Sequence, residues 1–345
     1  MASSIYPWQH SAWQQLQQLR TRLPHAILFH GAEGIGKTAF AERFAQSLLC
    51  ETLLADGHPC GQCPSCGWFG QYSHPDYRRL RPEVLDEGDS ADGEDASDSE
   101  VKKTAKSAKA PSKDIKIDQI RALADFMNIS THRQGMRVVM LYPAEALNTA
   151  SANALLKTLE EPPPHTMFLL VSNSLDRLLP TILSRCRKFS LAMPSQAESL
   201  AWLATQEIKD ADLWLAEQGG APLAALTLAQ SGSRDTIDEF LRQLAQPSVE
   251  GALKMADKLQ KVPLMDVVAW LQRWLYDVFS CKFSGRIRYY PRYKKELAAL
   301  AAQVDTGTLL RVLKAANERR AIAEHPLSAK LFIEDMLLDY STLFS

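Results

Sequence analysis

The N-terminal half of the chain alternates between apolar runs of strand length and stretches with helical periodicity. The run HAILFHG leads into a glycine-rich stretch, and TAFAERFAQSLLC follows with apolar residues at helical spacing. Further along, a helix is predicted for DIKIDQIRALADFMN, a buried strand for MRVVMLY, a helix for NTASANALLKTLEE and a strand for TMFLLVSN. Because parallel strands need helical crossovers, this order predicts a parallel sheet with helices on both faces.

The second half of the chain loses these strand signals. Residues 194–232 predict a few short helices broken at Gly219 and Gly220, and from about residue 235 onward the apolar spacing is wholly helical. The predicted fold is an α/β domain with a parallel sheet over residues 1–193. A small helical lid over 194–235 and an all-α C-terminal domain over 236–345 complete the prediction.

Composition narrows the class of protein. The 345 residues are 46% apolar, which is enough for a substantial core, and 39 basic residues against 40 acidic ones leave a net charge of -1. Any surface for nucleic acid must therefore be a local patch. No apolar run has the length of a membrane span and the first residues lack the layout of a secretory signal, so we expect a cytoplasmic protein without membrane contact.

One stretch lacks the apolar residues that a core requires. Residues 86–100 read DEGDSADGEDASDSE, and a lysine-bearing segment follows. About residues 84–113 are therefore predicted to be a disordered charged loop inserted into the first domain. A charged interaction tail is the functional alternative to an ordinary surface loop.

Residues 31–38 read GAEGIGKT, a complete phosphate-binding loop between a predicted strand and a predicted helix. In such a loop the backbone N–H groups and the positive end of the helix face the phosphates. Three glycines allow the backbone path, Lys37 is expected to reach the β- and γ-phosphates, and Thr38 is expected to hold Mg²⁺. The nucleotide-binding residues predicted here are Gly31, Gly34, Gly36, Lys37 and Thr38, with ATP or ADP as the ligand.

Hydrolysis needs acids that this chain lacks at the usual place. An aspartate at the end of a neighbouring strand should organise Mg²⁺, and an adjacent acid should orient the attacking water. After VVML the sequence has Tyr142 and Pro143, and neither can coordinate a cation or accept a proton. The nearest acid, Glu145, is expected to lie beyond the strand end and to need an unusual loop to reach the metal. We therefore predict nucleotide binding without useful turnover.

Four of the six cysteines lie close together in the sequence. Cys50, Cys60, Cys63 and Cys66 have the spacing Cys-x9-Cys-x2-Cys-x2-Cys, and four thiolates match the closed tetrahedral shell of structural Zn²⁺. The rival predictions are an iron–sulfur cluster and unligated cysteines. A ferredoxin-like run, however, normally carries its fourth cysteine and a proline just downstream. The remaining two, Cys186 and Cys281, are predicted to be ordinary buried thiols.

Several motifs together resemble one family, the clamp-loader subunits of bacterial DNA polymerase III. They are PHAILFHG, the four-cysteine insertion, HPDY, ANALLKTLEEPP and ILSRC, and the resemblance runs in register from about residue 6 to 192. It implies an AAA+ domain, a lid and a helical collar, in a five-subunit open ring that loads the sliding clamp on primed DNA during replication. The implied partners are motor subunits of the tau/gamma type and a delta-type subunit. The chain is similar to the member that completes the ring without hydrolysing ATP. The resemblance also implies that nucleotidyltransferase activity belongs to the polymerase holoenzyme as a whole.

The resemblance also implies roles for single residues. Arg185, in SRC, matches an arginine finger that enters the neighbouring subunit's nucleotide site, where a permanently charged guanidinium stabilises the transferring phosphoryl group. A solvated surface arginine is the alternative. Asn173 falls at the family's first sensor position, where a polar side chain at a strand end contacts a γ-phosphate or a water. A capping or turn-forming role would suit this asparagine nearly as well. Pro222 departs from the pattern, because motor subunits carry an arginine there.

Two basic stretches raise the question of nucleic-acid contact. Residues 282–295, KFSGRIRYYPRYKK, interleave basic residues with tyrosines, a composition that can track phosphates and stack bases. A solvated helical surface or a subunit contact is the favoured alternative. HPDYRRLRPE raises the same question more weakly. Two other functional classes are considered. The phosphate loop leaves open an autonomous clamp-loader-type ATPase, and the cysteines and basic stretches leave open a zinc-containing DNA-binding module with a vestigial nucleotide site.

Overall fold

A computed structural model of the chain describes residues 5–89, 111–129, 131–132, 135–232, 234–323 and 328–344. The chain divides into two compact units, residues 1–193 and 194–345. Each unit has its own hydrophobic core. The predicted boundary between lid and C-terminal domain stays a prediction.

The first unit is built on a five-stranded parallel sheet. The strands follow the order β2-β3-β4-β1-β5, and every pair is parallel. The three central strands are almost continuously apolar because the sheet is covered on both faces. Their bounds are β1 Ala26–His30, β2 Tyr77–Leu80, β3 Arg137–Leu141, β4 Thr166–Ser172 and β5 Arg187–Ser190.

Helices of the first unit occupy the segments between these strands. α2 and α6 coincide with predicted helices, and α6 begins where the side chain of Asn148 accepts a hydrogen bond from Ser151 N at 2.9 Å. It ends before the three prolines, as the sequence predicts. The helices are α1 His10–Gln18, α2 Lys37–Leu49, α3 Pro64–Gly70, α4 Glu83–Asp89, α5 Ile117–Asn128, α6 Thr149–Glu160 and α7 Pro180–Arg185.

Helix α4 corrects the predicted start of the charged loop. Its residues fall inside the stretch predicted to be disordered from about residue 84. Arg81 and Asp86 form an ion pair at 2.5 Å, and Glu83 accepts a hydrogen bond from Ser112 N at 3.0 Å and pairs with Lys116. These charged groups bind to ordered neighbours, which a composition argument does not detect. Residues 90–110 of the predicted loop lie outside the described residues.

The second unit is helical throughout its described residues. A small cluster of Leu203, Leu215 and Ala225 joins its first three helices, and a larger core joins the remaining six. In that larger core Trp274 Nε1 donates to the hydroxyl of Tyr340 at 2.9 Å, and Tyr340 donates to Leu244 O at 2.7 Å. The helices are α8 Gln196–Ala204, α9 Ala211–Glu217, α10 Pro222–Gln230, α11 Arg234–Ala245, α12 Val249–Leu259, α13 Leu264–Ser284, α14 Lys294–Gln303, α15 Thr306–Ile322 and α16 Ala329–Ser341. The predicted fold class, a parallel α/β domain followed by helices, is confirmed.

Candidate nucleotide and metal sites

The glycine-rich loop connects β1 to α2 at the carboxyl edge of the sheet. Gly36 caps α2 with φ +83°, a left-handed conformation that favours glycine. A Cβ at this position would lie 2.5 Å from the ring of Tyr6, so the position has no space for a side chain. The loop therefore has the strand, glycine turn and helix that a phosphate site requires.

Lys37 is buried at the first position of α2, with only 4% of its surface exposed. Its Nζ donates to the carbonyl of Ala32 in the same loop at 2.5 Å. Burial lowers the pKa of Lys37 to about 8, and the charges of Glu33 and Glu145 oppose that shift. The lysine therefore lies inside the loop, and it loses its charge as the pH rises through about 8.

A segment before α1 fixes the shape of the loop. Trp8 Nε1 and Gln9 Nε2 both donate to the carbonyl of Ile35, at 3.0 and 2.9 Å, and Gln9 also donates to Gly36 O at 3.1 Å. The ring of Tyr6 stacks on that of Trp8 with centroids 4.9 Å apart. Sequence reasoning missed these residues, because they lie 26 or 27 positions from their partners and match no local motif.

The strand next to the usual metal position ends in residues that cannot bind a cation. Tyr142 lies against Arg81, whose guanidinium donates to its hydroxyl at 3.4 Å, and burial raises the pKa of this tyrosine. Pro143 leads into a short 3₁₀ turn, Ala144–Ala146. Tyr142 and Pro143 therefore occupy the place of the missing acids, as the sequence predicts.

Glu145 lies beyond the end of β3, as the sequence predicts. The 3₁₀ turn that carries it places its carboxylate beside Asn173, the residue after the neighbouring strand β4. Its Oε1 accepts a hydrogen bond from the backbone N–H of Asn173 at 2.9 Å. The expectation that Glu145 needs an unusual loop to reach a metal stays a prediction.

Asn173 directly follows β4, next to the end of β1. Ser172 pairs with His30, the residue before the phosphate loop. The side chain of Asn173 is exposed, and the hydrogen bond to Glu145 uses its backbone. The structure therefore brings Asn173 and Glu145 together at the loop edge, whereas a sensor role for Asn173 stays a prediction.

The four clustered cysteines converge at the other end of α2. Their sulfur atoms all lie within 4.8 Å of one another, and Cys50 directly follows the helix. The Sγ atom of Cys50 lies 3.6 Å from that of Cys60 and 3.9 Å from that of Cys63. A tetrahedral zinc site with Zn–S bonds of about 2.3 Å places its sulfurs about 3.8 Å apart. The cluster is compatible with a closed zinc site.

Backbone N–H groups donate to sulfurs of the cluster and favour the thiolate of Cys60, whereas burial raises the pKa of Cys50 and of Cys66. Cys60 Sγ accepts from the N–H groups of Cys63 and Gln62, at 3.3 and 3.5 Å, and these bonds lower the pKa of this thiol to about 6. Cys63 caps α3, and its sulfur accepts from Cys66 N at 3.4 Å. Sulfur acceptors of this kind suit metal-bound thiolates. Outside the cluster, Cys186 is buried and Cys281 is half-buried, and both are free thiols.

Arg185 is the last residue of α7. Its guanidinium pairs with the carboxylate of Glu160, which ends α6, and donates to Thr181 O at 3.0 Å and Ser184 Oγ at 3.3 Å. The side chain of Arg185 is 31% exposed. The arginine therefore lies at the surface of the first unit, and its ion-pair partner, Glu160, is itself half exposed.

Pro222 begins helix α10, with Ala221 as the N-cap residue. Proline is well suited to this position, because the first helical N–H has no intrahelical partner. It has no charge to offer a nucleotide, so the departure seen in the sequence is also a departure in chemistry.

The basic stretch at 282–295 is less suited to stacking bases than its composition suggests. Tyr290 is buried at 2% exposure, and Tyr289 and Tyr293 are half-buried. The buried carboxylate of Asp277 accepts from the N–H groups of Arg288, Tyr289 and Tyr290, at 2.8 to 3.2 Å. The stretch is therefore folded onto the helical core, and its aromatic rings serve packing.

The arginines that follow HPDY have structural partners as well. Arg81 is 6% exposed and pairs with Asp86, and Arg79 lies over the ring of Tyr72 at 3.8 Å. Arg78 lies over the ring of Phe126 at 4.4 Å. These contacts account for three arginines that composition alone marks as a basic patch.

The parallel sheet and the glycine loop between β1 and α2 define the first unit as an α/β domain of the P-loop type. The family model for DNA polymerase III, delta subunit, matches residues 8–195, and the model for its C-terminal part matches residues 235–342. The chain belongs to the family of DNA polymerase III delta' subunits. The delta' subunit of Pseudomonas aeruginosa is 35% identical over 306 residues, which cover 87% of this chain and 82% of that subunit.

Other similarities are more distant. The tau subunit of DNA polymerase III from Salmonella typhimurium is 35% identical over 170 residues, which cover 49% of this chain and 22% of that protein. A crystal structure of a gamma subunit-related protein from Thermotoga maritima covers 96% of this chain and 99% of its own, with 17% identity and a TM-score of 0.39. Among the described residues, no helix is both long and apolar enough to cross a membrane.

Proposed function

We propose that this chain is the non-hydrolysing delta' member of a clamp loader and that it supplies Arg185 in trans to a neighbouring subunit. The observation that carries the proposal is the difference between two edges of the first unit. Tyr142 and Pro143 stand where its own site needs acids, whereas Arg185 is 31% exposed at the end of α7. The chain's own phosphate site therefore lacks residues that hydrolysis needs. The guanidinium of Arg185, at the surface, is suited to stabilising phosphoryl transfer in another site.

The partners follow from the family. Relatives named as delta' and tau subunits of DNA polymerase III support a hetero-oligomer with tau/gamma-type motor subunits and a delta-type subunit. In that complex the helical C-terminal region would dock the other subunits. The sliding clamp and primed DNA would be contacted through the complex.

Two bound groups are part of the proposal. The four cysteines would hold a structural Zn²⁺, which leaves no open position for chemistry because sulfur fills all four. The phosphate loop would hold ATP or ADP through its backbone N–H groups and Lys37, with Asn173 at the strand end beside it. Neither group supplies turnover in this chain.

Glu160 has a positioning role in this proposal. Its carboxylate holds Arg185 along the surface in the isolated chain. Insertion of Arg185 into a neighbour's site would exchange this carboxylate for phosphate oxygens, an exchange that is inexpensive because exposed ion pairs contribute little. The pair thus keeps the arginine ordered until a phosphate displaces the carboxylate.

The test is ATP hydrolysis by a clamp loader reconstituted from motor subunits, a delta-type subunit and this chain. Arg185→Ala is expected to lower the rate of ATP hydrolysis at the one neighbouring site by about a thousandfold. The hydrolysis rate of the whole complex should fall as a result. Arg187→Ala is the matched control, because Arg187 is an exposed arginine two residues away on β5. Equal hydrolysis with Arg185→Ala and Arg187→Ala, in complexes of equal subunit content, would remove the arginine-finger proposal.

The two other functional classes are less well supported. An autonomous ATPase needs acids that Tyr142 and Pro143 cannot replace and an arginine that Pro222 replaces. A zinc-containing DNA-binding module needs an exposed basic and aromatic surface, whereas the tyrosines of residues 282–295 pack against the helical core. The clamp-loader proposal requires neither feature.

A further inference from the structure

A carboxylate oxygen beside the phosphate loop has no assigned role. Glu145 uses Oε1 to accept the hydrogen bond from Asn173 N, at 2.9 Å. Its Oε2 is buried from solvent and has no hydrogen-bond partner in the part of the chain that the structure describes. Since a buried carboxylate oxygen without a donor is costly, this atom calls for a cation or donor that binds there.

The position of Glu145 is fixed by backbone contacts on both sides of its turn. Ala146 N donates to Pro143 O at 3.0 Å within the turn, and the carbonyl of Ala146 accepts from Ile115 N at 2.8 Å. Ala144 and Ile115 are fully buried. The carboxylate is therefore presented by a rigid turn.

The electrostatics point toward the phosphate loop. The charge of Glu145 raises the pKa of Lys37, against the larger lowering effect of burial. Glu33, on the exposed part of the loop, acts on Lys37 in the same direction. Both acids are thus close enough to Lys37 to influence its charge, but they differ in burial.

We propose that Glu145 is the acidic residue of the loop's cation site and that it contributes Oε2 to the Mg²⁺ of a bound magnesium nucleotide. Mg²⁺ in nucleotide sites is commonly held by one or two carboxylates together with phosphate oxygens and water. Glu145 would supply the carboxylate that Tyr142 and Pro143 cannot provide, from the turn that directly follows them. The inference rests on the proposed nucleotide binding and deepens it.

This role explains binding without turnover. One carboxylate can neutralise and orient the metal, but hydrolysis also needs a base that orients the attacking water. Oε1 is already committed to Asn173 N. Glu145 therefore serves as a cation ligand, while Tyr142 and Pro143 leave the position of the water-orienting acid unfilled.

The opposite assignment makes a different prediction. If Glu145 were only an internal counter-ion of Lys37, its negative charge would repel the nucleotide phosphates. Removal of that charge would then tighten nucleotide binding equally with and without Mg²⁺. As a metal ligand, its removal should weaken binding only when Mg²⁺ is present.

The test is calorimetric titration of the full-length chain with ATP, in Mg²⁺ and in EDTA. Wild type should gain about tenfold or more in affinity from Mg²⁺, and Glu145→Gln should lose most of that gain while keeping its affinity in EDTA. Glu33→Gln is the matched control, because it removes the same charge beside Lys37 from an exposed position; it should keep the Mg²⁺ gain. Unchanged thermal unfolding of both variants establishes that they fold.

Each other outcome overturns the inference. An equal Mg²⁺ gain in Glu145→Gln and wild type would refute the metal role while nucleotide binding stands. Tighter binding of Glu145→Gln in both buffers would establish the counter-ion role instead. Absence of ATP binding by wild type in either buffer would overturn both the metal role and the proposed nucleotide binding.

Discussion

Helix α2 joins two sites that differ in how they are completed. At its C-terminal end, Cys50 meets three cysteines from the next 16 residues, and all four sulfurs lie within 4.8 Å. At its N-terminal end, Lys37 lies in the phosphate loop, and the two residues proposed to complete that site, Asn173 and Glu145, follow strand ends more than 100 residues away. The four cysteines are close in sequence and form a closed set of ligands. The residues around the phosphate loop are far apart in sequence and leave that site open.

The difference indicates which functions each site can lose while the rest of the site is retained. A closed tetrahedral shell has no spare position, so it can only stabilise the fold. An open phosphate site can keep its loop when the neighbouring strand lacks acids, and here Tyr142 and Pro143 follow β3. We therefore expect nucleotide binding and nucleotide turnover to be separable in this chain, and we expect the thiol cluster to be lost as a whole when one cysteine is removed.

Removal of one cysteine is expected to have the largest effect. Cys66→Ser should lose bound zinc and lower the free energy of unfolding of the first unit by more than about 3 kcal/mol, because metal binding is coupled to folding. Zinc content and urea unfolding measure these changes. Cys281→Ser, a half-buried cysteine outside the cluster, is the control and should keep full zinc content. Full zinc retention in Cys66→Ser would contradict the closed-site assignment.

Loss of the loop lysine should affect only the opposite end of α2. Lys37→Ala should weaken ATP binding by about 10- to 100-fold, the amount expected for one or two charge-assisted hydrogen bonds to phosphate. Zinc content should stay that of wild type, since the cysteines lie at the other end of the helix. Loss of zinc in Lys37→Ala would show that the two ends are coupled and would break the comparison.

A pH titration should give a smaller effect. The pKa of Lys37 is lowered to about 8 in the folded chain, so the charged form that attracts phosphate is lost as pH rises through 8. Roughly nine-tenths of the lysine is charged at pH 7 and roughly one-tenth at pH 9. ATP affinity should therefore fall by up to about tenfold between these values, after correction for the titration of ATP itself. Lys37→Arg should show no such fall, because arginine stays charged.

The local elements were predictable from the sequence, and the distant contacts were not. The cysteine cluster, the glycine loop and most strands have signals within about 20 residues. The contact between Glu145 and Asn173 depends on a 3₁₀ turn and on the pairing order of strands, neither of which apolar spacing encodes. Gln9 bonds to a loop 26 residues away, where no motif marks it.

The basic stretch at 282–295 also shows that a local sequence pattern does not reveal a contact with a residue elsewhere in the chain. Its composition is typical of a nucleic-acid surface, but Asp277 holds the backbone of Arg288, Tyr289 and Tyr290 against the core. A buried carboxylate 11 to 13 residues earlier decides which side chains remain exposed. Composition describes the side chains of a loop and leaves its anchoring undetermined.

The central claim, that this chain binds nucleotide but does not turn it over, is tested most directly by steady-state hydrolysis of ATP by the purified chain alone. With Mg²⁺ and saturating ATP, wild type is expected to release phosphate no faster than Lys37→Ala, because no acid takes the place of Tyr142 and Pro143 in orienting water. Phosphate release by wild type that Lys37→Ala abolishes would contradict the account and would make this chain an ATPase in its own right.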